Sequence, residues 1–168
     1  MSVSALAALA GRKFEATTLR WAQQLGIAVH SQQASRDGGV DIVGNWPLAC
    51  GPRSVVLQCK FVQRETSTLP VRHAREFMAV AMSHAQAAAH PPMIAILCSN
   101  ASPSMPCLQH LKVAATPAVF ARLSPAGQLL AWYPNQLAAQ AMGSAVLPQA
   151  SADETVLHVN LQAPVEPS

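Results

Sequence analysis

The sequence predicts an α/β domain with a mixed central β-sheet flanked by helices. Three observations predict it. A long run at helical spacing opens the chain, short apolar runs bounded by Gly, Pro and Asn follow, and a second helical run separates these from further apolar runs. In order, residues 3 to 25 carry Leu6, Leu9, Phe14, Leu19 and Leu25 near helical spacing, and Gly26 stops the helix. Ile27 to His30 reads as a first strand and Gln32 to Gly39 as a polar turn. Val40 to Val43 and Val55 to Val62 read as second and third strands, joined by an Asn-Trp-Pro to Gly-Pro connection. Pro70 breaks the chain. Val71 to Ala89 then reads as a helix, which Pro91 and Pro92 stop.

Met93 to Cys98 is apolar at every position, the pattern of a strand buried on both faces. Ser102 to Pro106 reads as a loop, Cys107 to Ala115 as a short helix, Pro117 to Leu123 as an outer strand, and Pro125 to Gln128 as a turn. Leu129 to Tyr133 follows as a strand and Asn135 to Met142 as a helix. From Gly143 the chain is rich in Ala, Pro, Ser and Gln. The expected division is a domain over 1–142 and a tail over 143–168, with an edge strand at 155–161.

At 168 residues the length fits one domain. Apolar residues make up 51%, enough for a core. Charged residues are 11%, well below the usual fraction of roughly a quarter. That sparse surface suits a chain that binds a partner or self-associates, as a homodimer or in a larger assembly. Net charge is only +3, but Lys112 and Arg122 are the sole bases beyond Glu76. The positive field therefore lies in the first half, where a phosphate-binding surface would need it. The cysteines Cys50, Cys59, Cys98 and Cys107 have no CxxC or zinc spacing and read as reduced thiols. No apolar run reaches the about 20 residues that span a bilayer. Residues 1 to 10 are apolar and acid-free before Arg12 and Lys13, faintly like an organelle presequence, but they also start the first helix.

The chemistry concentrates in Asp37-Gly38-Gly39-Val40-Asp41 and Gln58-Cys59-Lys60. Side chains alternate along a strand, so Gln58 and Lys60 share a face and Cys59 points away. In an antiparallel hairpin Asp41 falls beside them. A carboxylate, an amide oxygen and an ammonium then converge, a set that suits a hard divalent cation and puts a lysine near its water. An acid one step inside an apolar run is costly unless it is paired or bound to metal. Asp37 fits a turn-capping role better.

These blocks resemble the PD-(D/E)XK nuclease superfamily. The wording is similar to its Mrr-like branch, in which Gly-x-x-Phe-Glu, here Gly11 to Glu15, precedes Asp-Gly-Gly-x-Asp and Gln-Cys-Lys. Gly44-Asn45-Trp46-Pro47-Leu48 resembles a fungal-type mitochondrial respiratory-growth family with a restriction-endonuclease-like domain. The resemblance implies a restriction-endonuclease-like fold and phosphodiester hydrolysis, of DNA before RNA. It implies Mg²⁺, or Mn²⁺, held by Asp41, Gln58, the Cys59 carbonyl and Glu15. Lys60 would act on the water, so that Asp41, Gln58, Lys60 and Glu15 form the catalytic set. Arg12, Lys13, Arg36, Arg72 and Arg75 are the candidate contacts to nucleic acid. The respiratory-growth likeness implies a mitochondrial location, in genome or RNA maintenance. Gln58 in place of an acid implies weaker metal binding. It leaves open an inactive nuclease-fold subunit of an organellar ribonucleoprotein such as the ribosome.

Overall fold

The computed structural model describes residues 3–32, 39–64, 67–87, 92–150 and 155–162. Helix α1 (Val3–Gln24) buries Phe14, Trp21 and Ala22. Six strands follow: β1 (Ala28–Gln32), β2 (Ile42–Leu48), β3 (Gly51–Lys60), β4 (Met93–Ser99), β5 (Ala118–Leu123) and β6 (Leu129–Pro134). They lie side by side in sequence order. The pairs β1–β2, β2–β3 and β5–β6 are antiparallel, while β3–β4 and β4–β5 are parallel. A parallel pair needs a crossover connection, and helices supply both. Helix α2 (Val71–Ala87) joins β3 to β4, and α3 (Met105–Lys112) joins β4 to β5.

Both crossover helices cover one face. Phe77, Met78, Cys107 and Leu111 pack there on Val56, Ala95, Leu97 and Phe120. The other face carries α1 and α4 (Gln136–Met142), with Phe14, Trp21, Ala138 and Met142 on Leu57, Ile94, Ile96 and Trp132. β4 is thus buried on both faces, as its unbroken apolar run predicts.

The structure corrects the sequence reading at the first hairpin. The Asn-Trp-Pro to Gly-Pro segment is strand, and only Ala49 and Cys50 turn between Leu48 and Gly51. Asn, Pro and Gly read locally as punctuation, but Trp46 and Leu48 are wholly buried and tertiary packing decides. The Trp46 indole N–H donates to the Leu25 carbonyl at 2.9 Å. Gly44 lets β1 approach, because a Cβ there would stand 2.7 Å from the Ala28 carbonyl oxygen. Core packing thus accounts for Gly44, Trp46 and Leu48. β5 is not an outer strand either: β6 covers it. Helix α3 begins at Met105, earlier than expected, where the Ser104 side chain caps it by accepting from Cys107 N–H.

After a 3-10 turn at Gly143–Ala145, β7 (Val146–Ala150) pairs with β8 (Thr155–Val159) in a separate two-stranded sheet. Strand β8 therefore joins β7 and not the central sheet. The segment beyond it is tied to the first hairpin, where Ala49 N–H donates to Asn160 O at 2.8 Å and Gln162 N–H to Pro47 O at 2.7 Å. All four cysteines are free, and Cys50 alone is exposed. Among the described residues no helix is long and apolar enough to cross a membrane.

Asn135 joins three elements. Its Oδ1 accepts from Ala118 N–H at 3.1 Å and from Ala138 N–H at 2.8 Å, the latter capping α4. Its Nδ2 donates to Leu111 O at 3.2 Å and Thr116 O at 2.9 Å. Replacing it strands several buried groups at once. Asn135→Ala should lower the unfolding free energy by at least about 3 kcal/mol. Denaturant titration checks this.

Candidate active site

The site forms where the β2–β3 ladder stops. The regular pairing ends at Ile42 opposite Leu57. One residue earlier, Asp41 N–H donates to Leu57 O at 2.9 Å, and the Asp41 carboxylate accepts the Cys59 N–H at 2.6 Å. A side chain thus takes the place of the next ladder carbonyl. Alternate residues of a strand turn their backbone groups to the same side. Leu57 and Cys59 therefore both face the edge where β2 has ended, and the Cys59 carbonyl points there with them. Lys60 turns its backbone the other way, and its carbonyl accepts the Ser99 hydroxyl at 2.7 Å.

Gln58 and Lys60 share the Val56 face of β3, the face that α2 and α3 cover. Gln58 is 3% exposed, and its Oε1 has no hydrogen-bond partner. An unpaired buried amide oxygen costs about 1–3 kcal/mol, so it marks a position shaped for a donor or a cation. Gly39 leaves room for the amide. With φ at +117°, a Cβ on Gly39 would lie 2.6 Å from Gln58 Nε2. The second glycine of the Asp-Gly-Gly run therefore serves the site.

Glu15 comes from α1, on the opposite face. Burial chiefly raises its pKa, the nearby Asp41 charge adds to this, and Arg12 and Lys60 oppose it. The Asp41 pKa is also raised, by burial first, against the lowering effects of the Cys59 N–H and of Lys60. Asp41, Glu15 and Lys60 thus feel one another's charge. Gln58 is placed beside Asp41 by register. Asp41, Gln58 and Lys60 lie at the end of β3, and Glu15, itself exposed, approaches from the opposite face of the sheet.

Arg12 and Lys13 are exposed on α1, and Arg72 and Arg75 on α2. Arg36 and Asp37 lie outside the described residues. A cavity of about 550 Å³ opens at the end of β3, lined by Cys59, Lys60, Phe61, Arg72 and His73 among others. Sequence reasoning missed His73. Its only local signal is a place three residues after Pro70, in the first turn of a helix that already carries Arg72.

Among the described residues no three His, Cys, Asp or Glu side chains gather as a metal cluster. The donors at hand are all oxygen: the Asp41 carboxylate, Gln58 Oε1, the Cys59 carbonyl and the outlying Glu15. That set fits a hard divalent cation, and the orphaned Gln58 oxygen is the observation that favours one.

Residues 6–91, just over half of the 168-residue chain, match the restriction endonuclease family model Mrr_cat. The chain belongs to this family, and its six-stranded mixed sheet flanked by helices is the restriction-endonuclease-like fold that the sequence predicts. Among solved structures it is similar to the MspJI restriction endonuclease in complex with a 27-mer oligonucleotide, at 20% identity and a TM-score of 0.48. The match covers 64% of this chain and 25% of that one, so the chain spans about a quarter of that enzyme's length. No curated protein matches the chain.

The raised Asp41 pKa sets a pH signature. The native state holds this proton more tightly than the unfolded chain does, so ionised Asp41 costs stability above its folded pKa. The cost disappears as pH falls below the ordinary value of 3.8. Asn can keep the bond to Cys59 N–H without the charge. Metal-free Asp41→Asn should therefore melt at or above wild type at neutral pH, and the gap should close towards acid pH. Thermal melts across pH check this.

Proposed function

We propose that the protein is a metal-dependent nuclease that hydrolyses phosphodiester bonds, with DNA the first substrate to test. The observation that carries the reading is the buried, unpartnered Gln58 oxygen beside an Asp41 carboxylate fixed on Cys59 N–H, with Lys60 next along the strand. A Mg²⁺ ion at such a site polarises the phosphate and lowers the pKa of its water. Asp41, Gln58 and the Cys59 carbonyl would hold that ion, with Glu15 completing or orienting its shell.

The chain's own residues do the rest. The Lys60 ammonium positions the attacking water and offsets charge that develops on the phosphate. Arg12, Lys13, Arg72 and Arg75 contact the backbone and set register without reading sequence. Gln58 in place of an acid favours weaker metal binding. The proposed activity carries no organelle assignment.

A second reading has one observation behind it. The want of a third acid among the described residues also suits a binding subunit that kept the fold and lost the chemistry. One assay separates the two: labelled single- and double-stranded DNA and RNA with Mg²⁺, Mn²⁺ or EDTA. Metal-dependent cleavage supports the nuclease. Tight binding without cleavage of any substrate supports the binding subunit.

Two predictions follow from the assigned roles. Mg²⁺ should raise the melting temperature of wild type, since a ligand that binds only the native state stabilises it. Asp41→Asn should abolish that rise; if it persists, the ion sits elsewhere. Lys60→Ala should slow cleavage on the order of 10²-fold or more. It should lower the salt slope of binding by about one at most. Arg72→Ala with Arg75→Ala should lower that slope further. Cleavage rates beside salt-dependent affinities check both variants.

A further inference from the structure

The cavity at the end of β3 holds a group that the proposed function does not use. His73, in the first turn of α2, lines it together with Lys60 and Arg72. Its Nδ1 is buried without a hydrogen-bond partner and faces the Glu76 carboxylate at 3.7 Å, one helical turn on. The side chain as a whole is 22% exposed. With Nδ1 buried, that exposure belongs to the rest of the side chain, and His73 lines the cavity.

Glu76 favours the tautomer with the proton on Nδ1. That leaves the Nε2 lone pair as the acceptor. An ammonium cannot take a proton, so Lys60 in its charged form positions water but does not deprotonate it. We propose that His73 is a further catalytic residue of the nuclease reaction, accepting the proton of the attacking water, with Glu76 as its positioning residue. The inference rests on the nuclease reading.

The step balances simply. The water oxygen forms a new bond to phosphorus and its proton passes to His73 Nε2. The opposite P–O bond breaks, and the leaving oxygen takes a proton from solvent. The imidazolium then returns its proton to solvent. The charged groups facing His73 are Lys60 from β3 and Arg72 and Glu76 from its own helix. Burial most, then Lys60 and Arg72, hold its pKa below the ordinary histidine value, and Glu76 opposes them. The ring is therefore neutral, and able to accept, at neutral pH.

The test compares wild type, His73→Gln, Glu76→Gln and Lys60→Ala. Cleavage of labelled DNA with Mg²⁺ is followed across pH, and DNA affinity is measured without metal. Loss of a general base costs on the order of 10² to 10⁴-fold. His73→Gln should lose rate on that scale in kcat, keep KM and metal-free affinity, and lose the fall in rate on the acid side. Glu76→Gln should lose less and shift that fall to lower pH. Wild-type rate in His73→Gln overturns the assignment. So does a parallel loss of rate and affinity with an unchanged pH profile, which marks a phosphate contact only.

A second measurement needs no activity. The His73 ring, titrated by NMR in metal-free protein, should ionise below the ordinary value and move up in Lys60→Ala. A ring unmoved by Lys60→Ala does not share the cleft with Lys60, and the assignment falls. If wild type cleaves no nucleic acid, the nuclease reading falls and takes His73 with it. If wild type cleaves and His73→Gln matches it, the His73 assignment alone falls.

Discussion

The bond from Cys59 N–H to the Asp41 carboxylate governs this structure. It is short, at 2.6 Å, and it ends a β-ladder with a side chain where a backbone carbonyl would otherwise stand. The ladder's end becomes the site. β3 runs on past its neighbour to Lys60, supported on the other side by parallel pairing with β4. The exposed edge offers a carboxylate and a carbonyl together, and Gln58 and Lys60 follow on the adjoining face. Had β2 simply begun earlier, backbone pairing would have consumed both the N–H and the carbonyl.

The cost of the arrangement is electrostatic. Burial raises the pKa of both Asp41 and Glu15, and each charge is unwelcome to the other. Lys60 relieves both only in part. Gln58 adds an unpaired oxygen to the same small volume. Local conflict of this kind is expected where a site has been shaped for something other than stability. Elsewhere β4 is sealed on both faces, and Trp46 and Asn135 satisfy their polar groups while buried, whereas the Thr18 hydroxyl and the Trp132 indole N–H are buried without a partner.

Much of this was legible in the chain, and the remainder has physical causes. The helices α1 and α2 and the strand β4 announce themselves because their apolar periods are long or unbroken. The alternation at Gln58-Cys59-Lys60 correctly placed Gln58 and Lys60 on one face. The hairpin from Gly44 to Pro52 was misread, because Asn45, Pro47 and Gly51 are turn formers locally and only the buried Trp46 and Leu48 reveal a strand. The Asp41–Cys59 bond was hidden for a different reason. A ladder ended by a side chain leaves no periodicity to read. His73 was equally silent, since one histidine on a helix says nothing until the cavity beside it is known.

The clasp between Asn160–Gln162 and the Pro47–Ala49 turn has a consequence for how the chain is made. Closing a loop of that length carries a large entropic cost, and contacts so distant in sequence form slowly. On the ribosome, the hairpin bearing Asp41 and Lys60 emerges long before the residues that fasten its turn. Until residue 162 has left the exit tunnel, the backbone groups of Pro47 and Ala49 that make the clasp stand open at the tip of that hairpin. The partners of that latch are thus among the last of the described residues to become available.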